Sequence, residues 1–339
     1  MIAERLGVGI IGCGSISVNH LKALQQTENV YIAAVCDIDP AKCREAAKQY
    51  GATPYEDYHD LLADERVRSV HICTPHYLHA PMAIDALNTG HHVLTEKPMA
   101  ISLDQANAML AAEAASGKVL GVCFQNRYNA ATRFIEQAIQ NILGPVKGGA
   151  AIVMWNRGAR YYASGDWRGK WATEGGALMI NQAIHTLDLL RHFAGEEIVD
   201  VKSSMSAKRN ASCIECEDTC DLLMTTASGN RFLFYASNCC SGNWPIQLRL
   251  TCAHGEIELN GNIVTLRPEG QPPVTEDFTD HVTYGKDYWG KGHILLIQDF
   301  YRCLRSGDPF PINATEALKT TLLLEKAYAD HVNDCVRPG

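Results

Sequence analysis

Short apolar runs at 8–11, 31–36, 70–73, 92–94 and 119–123 alternate with stretches of helical spacing at 17–26, 41–50, 58–63, 80–88 and 103–115. Runs that are apolar at consecutive positions predict strands buried on both faces, and helices between them predict a parallel sheet covered on both sides. Ser102 stands where the last of these helices needs an N-cap. The rhythm changes beyond residue 125. A helical stretch over 128–141 ends at Gly144-Pro145, a strong breaker. After Phe193 the chain is mostly short strands, at 198–203, 218–226, 231–237, 246–252, 255–259 and 263–267. Turn signals such as Ser228-Gly229-Asn230 and Asn260-Gly261-Asn262 separate several of them and predict antiparallel neighbours. Two helices close the chain, one at 294–304 stopped by Ser306-Gly307-Asp308-Pro309, the other from about 315 to 331, with a loose tail over 334–339. The pattern predicts an α/β domain over 1–125 and a second, strand-rich domain over 126–339.

Composition narrows the field. The 339 residues suffice for two domains with separate cores. A net charge of −8 without any basic block argues against nucleic acid as a partner. The first residues lack the apolar core of a signal peptide, and no apolar run approaches the roughly 18 residues that span a bilayer, so a cytoplasmic protein is expected, with no membrane partner. Of the 13 cysteines, Cys36, Cys73 and Cys123 fall in buried strands and read as small apolar core residues. Cys213, Cys216 and Cys220 make the only metal-like cluster in the linear sequence, but a second ligand pair at suitable spacing is missing, and no metal is expected.

The first strand ends in Gly12-Cys13-Gly14-Ser15-Ile16-Ser17, the pattern G-x-G-x-x-S that opens a helix in a dinucleotide-binding Rossmann unit. Gly12 permits the tight turn and Gly14 lets the backbone approach a pyrophosphate. Ser15 and Ile16 lead into the helix N-terminus, and Ser17 replaces the usual third small residue. Asp37, at the end of the second strand, is the acidic residue expected to hold the adenosine ribose, and it favours NAD over NADP by repelling a 2′-phosphate. Either Asp37 or Asp39 could also cap the helix after Pro40. Thr74, Pro75 and His79 follow the strand at 70–73, where polar groups could meet ribose or nicotinamide or simply make a strand-to-helix turn. The strand at 92–94 runs on into Glu96-Lys97-Pro98, which puts a cation and a carboxylate at the cofactor side of the sheet.

Five segments in order, GIIGCGSIS, ICTPHYLHAPMAIDAL, HVLTEKPMA, EGGALMINQAIHTLDLL and IQDFYRCLRSGDPFPI, resemble the Gfo/Idh/MocA family of oxidoreductases over nearly the whole chain. The resemblance implies a Rossmann domain followed by an α+β domain with a large open sheet, which often joins subunits into dimers or tetramers, and a last helix that returns to the first domain. It also implies NAD(P)-dependent oxidation or reduction at a secondary alcohol of a sugar, sugar derivative or cyclitol.

Asn181, His185 and Asp188 have the i, i+4, i+7 spacing of one helix face, which is also the spacing of an ordinary solvated stripe. The stripe begins just after Glu174-Gly175-Gly176, a turn that could bring the helix close to a ligand. A histidine suits proton exchange with an alcohol. In the family the helix often bears Asp-x-x-x-His, with a Lys–Asp–His set handling the proton; here Asn181 stands at the Asp position. His185 is expected as acid/base and Lys97 as the cation that stabilises the alkoxide, with the converse assignment of the proton open. Tyr162, Trp167 and Arg168 lie in an aromatic and basic segment suited to a polyhydroxyl or anionic substrate, or to a packed surface loop. Arg127 falls in a segment, Asn126-Arg127-Tyr128, that matches a family stretch lining the site. Two other readings are a non-catalytic NAD-sensing regulator, which retention of Lys97 and His185 argues against, and an NAD-dependent glycosidase.

Overall fold

In the computed structural model, which describes residues 5–279 and 291–330, the first apolar runs become one parallel sheet. Its strands are β1 (Leu6–Ile11), β2 (Val30–Cys36), β3 (Thr53–Tyr55), β4 (Val67–Ile72), β5 (His92–Glu96) and β6 (Leu120–Cys123), in spatial order β3-β2-β1-β4-β5-β6. Every pairing is parallel. This is the doubly wound Rossmann order, which reverses between β1 and β4 and opens a crevice at their carboxyl ends. Helices α1 (Ser17–Gln25), α2 (Pro40–Tyr50), α3 (Tyr58–Leu62), α4 (His79–Asn88) and α5 (Leu103–Ser116) alternate with the strands. Ser102 caps α5, its Oγ accepting from the Gln105 N–H at 3.3 Å. The short edge strand β3 contains Pro54 and shows no apolar run, so the sequence pattern hid it.

The second sheet has the order β14-β13-β12-β11-β7-β10-β9-β8. The strands run β7 (Val146–Met154), β8 (Ile198–Ser206), β9 (Thr219–Thr226), β10 (Arg231–Ser237), β11 (Gln247–Cys252), β12 (Gly255–Asn260), β13 (Ile263–Pro268) and β14 (Val274–Asp277). All neighbours are antiparallel except β7 and β10, which are parallel. β7 is flanked on both sides, yet its sequence gives a weak strand signal because it opens Val146-Lys147-Gly148-Gly149. The glycines have a packing reason: a Cβ on Gly149 would run into the Arg249 carbonyl and the Leu250 side chain. Between the strands lie α6 (Ala130–Ala138), α7 (Ala159–Tyr162), α8 (Trp171–Glu174) and α9 (Ile184–Ala194).

The last two helices are α10 (Gly292–Ser306) and α11 (Ala314–Asp330). Of the described residues, those up to Gln125 form one compact unit with those at 291–319, while those from Asn126 to 279 form a second with 320–330. The grouping differs from an unbroken second domain over 126–339. Helix α10 turns Ile294, Leu296, Ile297, Phe300 and Tyr301 inward and packs on α1. The chain then covers the edge of β6, where the Val122 N–H donates to the Ile312 carbonyl at 3.0 Å. Gly121 leaves room there for the Phe310 ring. The expected end of the last helix at His331 and the tail lie outside the described residues. No helix among them is long and apolar enough to cross a membrane.

A buried ion pair ties the second unit together. Arg127 meets Asp188 through two parallel bonds, Nε to Oδ2 at 2.7 Å and Nη2 to Oδ1 at 2.6 Å. Thr320 of α11 donates to Asp188 Oδ1 at 2.6 Å and accepts from Arg191 Nε at 3.1 Å. Asp188 and Arg127, both expected at the substrate, are 1% and 5% exposed and meet each other inside this unit. Burial would raise the Asp188 carboxyl, but the two guanidinium groups and the Thr320 hydroxyl overcome it and hold it well below the usual carboxylate range. Removing Asp188 takes the paired carboxylate away from a buried Arg127. Asp188→Ala is therefore expected to cost about 3–5 kcal/mol of stability. Denaturant unfolding checks this, and a loss under about 1 kcal/mol, the scale of an exposed pair, would show that the pair is not structural.

Candidate active site

The glycine turn is built as a phosphate site needs it. Gly12 takes φ +95°, a conformation that L side chains rarely adopt, while a Cβ on Gly14 would point into open space. Helix α1 begins with no side chain capping its first turn, its Ser17 and Asn19 N–H groups donating to the Gly14 and Ile16 carbonyls at 3.2 and 3.0 Å. Ser17 folds its hydroxyl onto the Gly14 carbonyl at 2.7 Å and is buried, so it fits the place of the third small residue. Asp37 grips the turn from the next strand: Oδ2 accepts from the Cys13 N–H at 2.7 Å and Oδ1 from the Asp39 N–H at 2.8 Å. The cap of α2 is Asp39, whose Oδ1 accepts from the Ala41 N–H at 3.0 Å. Asp37 is thus free of the capping role and remains partly exposed.

The ends of β4 and β5 are cross-strapped. His79 is fully buried, with Nδ1 at 2.7 Å from the Pro98 carbonyl and Nε2 at 2.9 Å from the Thr74 carbonyl. This histidine, expected against the cofactor, holds the two turns together with both ring nitrogens. Glu96 is likewise drawn inward and is 5% exposed. Its Oε1 meets His20 Nε2 at 2.9 Å and His293 Nε2 at 3.2 Å, and its Oε2 accepts from the Lys97 N–H at 3.2 Å. The contacts continue from His20 to His71 at 2.9 Å, and from His71 to the Tyr301 hydroxyl at 2.8 Å. Burial works against the Glu96 charge, but the two histidines overcome it and keep the carboxyl well below its usual range. His20, Glu96 and Cys123 also bring three donor atoms within 4.8 Å of one another. Among the described residues this set gathers as a metal site would; the cysteines at 213, 216 and 220 do not. Linear spacing could not show it, since the three residues come from α1, β5 and β6. The Cys73 and Cys123 thiols are pushed far up by burial, as suits core residues.

In the second unit, residues 174 to 191 are buried at every position except Asn181 and His185. The helix expected to bear both is in fact broken. Asn181 lies in a π-helical turn, Leu178–Gln182, and His185 opens α9 after Ala183. The turn is pinned from below by Glu217, which accepts from the Met179 N–H at 2.9 Å and the Ala177 N–H at 3.3 Å. Asn181 Nδ2 donates to Glu174 Oε1 at 2.5 Å, and Glu174 Oε2 accepts from the Gly169 N–H at 2.5 Å. The Tyr161 oxygen collects donors from Arg168 at 2.5 Å, Gln182 at 2.7 Å and Asn181 at 3.3 Å. The Arg168 guanidinium lies 4.4 Å from the Trp167 ring centre and 4.5 Å from that of Tyr161. Tyr162, expected at the substrate, is instead a core side chain at 4% exposure whose oxygen accepts from Asn238. Glu174 and Tyr161 were readable only as parts of a turn and a loop, because their partners lie 5 to 21 residues away.

Comparison with known proteins agrees with this layout. Residues 6–124 match the Gfo/Idh/MocA oxidoreductase family with its NAD-binding Rossmann fold, and residues 132–258 match the C-terminal domain of that family. The chain belongs to the Gfo/Idh/MocA family. It is 28% identical over 273 residues to an inositol 2-dehydrogenase of Rubrobacter xylanophilus, covering 77% of this chain and 74% of the relative. Similarity to an inositol 2-dehydrogenase of Salmonella typhimurium is 26% over 308 residues, 90% and 87% of the two chains. A solved WlbA dehydrogenase from Bordetella pertussis, in complex with NADH and UDP-GlcNAcA, superposes with a TM-score of 0.84 at 27% identity over 96% of each chain.

The residues present fit the family's dinucleotide. Beside the open glycine turn, the Thr74 hydroxyl is buried and has no hydrogen-bond partner among the described residues, which leaves it for a ligand. In the second unit the Gfo/Idh/MocA carboxylate is missing from position 181, yet a carboxylate touches that position from Glu174. Burial pushes the Glu174 carboxyl up to about 7, against the Gly169 N–H, the Asn181 amide and the Arg168 charge. A raised carboxyl pKa means that the folded state holds its proton longer than the unfolded chain does. Stability from this group is present below the ordinary value of 4.5 and is lost as pH rises toward about 7. From pH 5 to pH 8, unfolding free energies should therefore shift in favour of Glu174→Gln over the parent by up to about 3 kcal/mol. Parallel pH dependences for the two proteins would rule out the raised carboxyl.

Proposed function

We propose that this chain is an NAD-dependent dehydrogenase that moves hydride between nicotinamide and a secondary alcohol or ketone of a sugar, sugar derivative or cyclitol. The observation that carries the reading is the pair Asn181 and His185, the two positions left open in an otherwise buried segment. The relatives are named as dehydrogenases of inositol, and the Bordetella structure holds NADH and UDP-GlcNAcA, which favours turnover over the regulator and glycosidase readings. Bound NAD would supply the hydride acceptor. His185 takes the hydroxyl proton, and Lys97 stabilises the negative charge that develops on the oxygen. Gly12, Gly14, Ser15, Ile16 and Thr74 hold the dinucleotide, with Pro75 shaping the turn. Asp37 binds the adenosine ribose and disfavours a 2′-phosphate. Trp167 and Arg168 face the substrate, and the Arg168 Nε, buried without a hydrogen-bond partner among the described residues, suits a polyhydroxyl or anionic group. We place the enzyme in the cytoplasm as a homo-oligomer joined through the open sheet. The exposed apolar side chains Leu233, Ile263 and Val274 on its strands support this, and a monomer mass by light scattering at micromolar concentration would overturn it.

The deciding experiment is turnover of purified protein with NAD, followed by NADH absorbance over inositols, sugars, sugar acids and nucleotide sugars. Intact NAD binding with no turnover on any of them would sink the dehydrogenase reading. With the best substrate, Lys97→Ala and His185→Ala should each lower kcat at least about a hundredfold; near-parental rates would remove both from the chemistry. Asp37→Ala should weaken NAD and narrow its advantage over NADP, and an unchanged preference would leave Asp37 as a brace for the glycine turn alone.

A further inference from the structure

Glu174 is an expensive residue to keep where it is. Its side chain has no solvent exposure, and burial of a carboxylate is unfavourable unless donors meet it. It has two well-placed donors, the Gly169 N–H on one oxygen and the Asn181 amide on the other, both at 2.5 Å. The Gly169 bond closes a local turn, and a neutral side chain could do as much. The Asn181 bond does more, because Asn181 is one of the two open positions of this segment. An ionised carboxylate only accepts hydrogen bonds, so it must face the nitrogen end of the amide. The amide oxygen then points the other way, as a fixed acceptor. The charge behind the N–H also polarises the amide and strengthens that acceptor.

We propose that Glu174 is a positioning residue that fixes the Asn181 amide with its oxygen turned to accept from a substrate hydroxyl. The proposal rests on the reading of Asn181 and His185 as the substrate-facing pair. Protonation of Glu174 would let the amide turn its oxygen inward and present a donor instead. Titratable and charged groups that act on Glu174 include Arg168, whose cation favours the charged form, and Glu217, which opposes it, with the Tyr161 and Tyr162 hydroxyls beside them.

The atom count suggests a swap test. In Glu174→Gln one oxygen must serve two N–H donors, so either Gly169 or Asn181 loses its acceptor. In Asn181→Asp two carboxylates face each other. The double variant restores complementarity: the introduced glutamine accepts from Gly169 through its oxygen, and its NH2 donates to the introduced carboxylate at position 181. With the best substrate from the screen, each single variant should lose about tenfold to a hundredfold in kcat/KM, and the double variant should return to within about fivefold of the parent. A double variant no better than the worse single variant would overturn the proposal. A second readout needs no substrate. With selectively 15N-labelled asparagine, the Asn181 NH2 signal should shift with pH across about 7 in the parent and lose that shift in Glu174→Gln; a pH-independent parent signal would also overturn the proposal. Melting curves and NAD binding on the same samples show that the variants are folded. If Asn181→Ala and His185→Ala leave kcat/KM unchanged, the underlying reading of the site has failed. If they lower it while Glu174→Gln does not, only the role of Glu174 has failed.

Discussion

A carboxylate removed from water must be met by donors, and this protein uses that requirement repeatedly to hold its irregular segments. Glu96, Glu174, Asp188, Glu217 and Asp218 are all within 5% of complete burial. Each gathers donors that no helix or strand ladder would otherwise bring together. Glu217 takes the N–H groups of Ala177, just before the π-turn, and Met179 within it, together with the Tyr328 hydroxyl at 2.9 Å. Asp218 takes the Lys208 and Asn210 N–H groups of the loop beyond β8. Removing one such carboxylate would strand several donors at once, so each of these groups sets local geometry and is costly to lose.

The same requirement separates holding from acting in the first unit. Of the Glu-Lys-Pro trio, the glutamate is turned inward onto His20 and His293, and the proline carbonyl is taken by His79. Lys97 keeps partial exposure between two anchored neighbours. Its backbone is fixed from both sides, so little conformational freedom remains to be lost when a ligand arrives. Burial pushes His79 and His293 below the ordinary histidine range. The histidines around Lys97 are therefore part of the frame.

How much of this was legible depends on whether a residue's partners were local. Strands β1, β2, β4, β5 and β6 announced themselves by continuous apolar runs, and the glycine turn by its spacing. β7 did not, because Gly148 and Gly149 are there for close backbone approach and depress the strand signal. Nothing in the linear sequence marks Glu217 and Asp218 as buried, yet both are, each answering donors from other elements. The contacts of Glu96 with residues 20 and 293 span 76 and 197 positions, beyond any periodicity. Asn181 and His185 were singled out by spacing together with the family resemblance, but the helix break between them and the burial of Asp188 were not legible, because both depend on Glu217, Arg127 and Thr320.

An amide at position 181 backed by a carboxylate at position 174 differs physically from a carboxylate at 181. A ligand that covers the open position must dehydrate the group it finds there, and a neutral amide costs far less to dehydrate than an exposed carboxylate. The charge sits one group behind, at a place already dehydrated on folding, and reaches the ligand only as polarisation of the amide oxygen. A substrate with its own negative charge would be repelled by a carboxylate at contact distance and less so by an amide, while Arg168 in the same cluster offers it a cation. An amide at position 181 therefore lowers the cost of covering the open position and removes a repulsion that a negatively charged ligand would meet there.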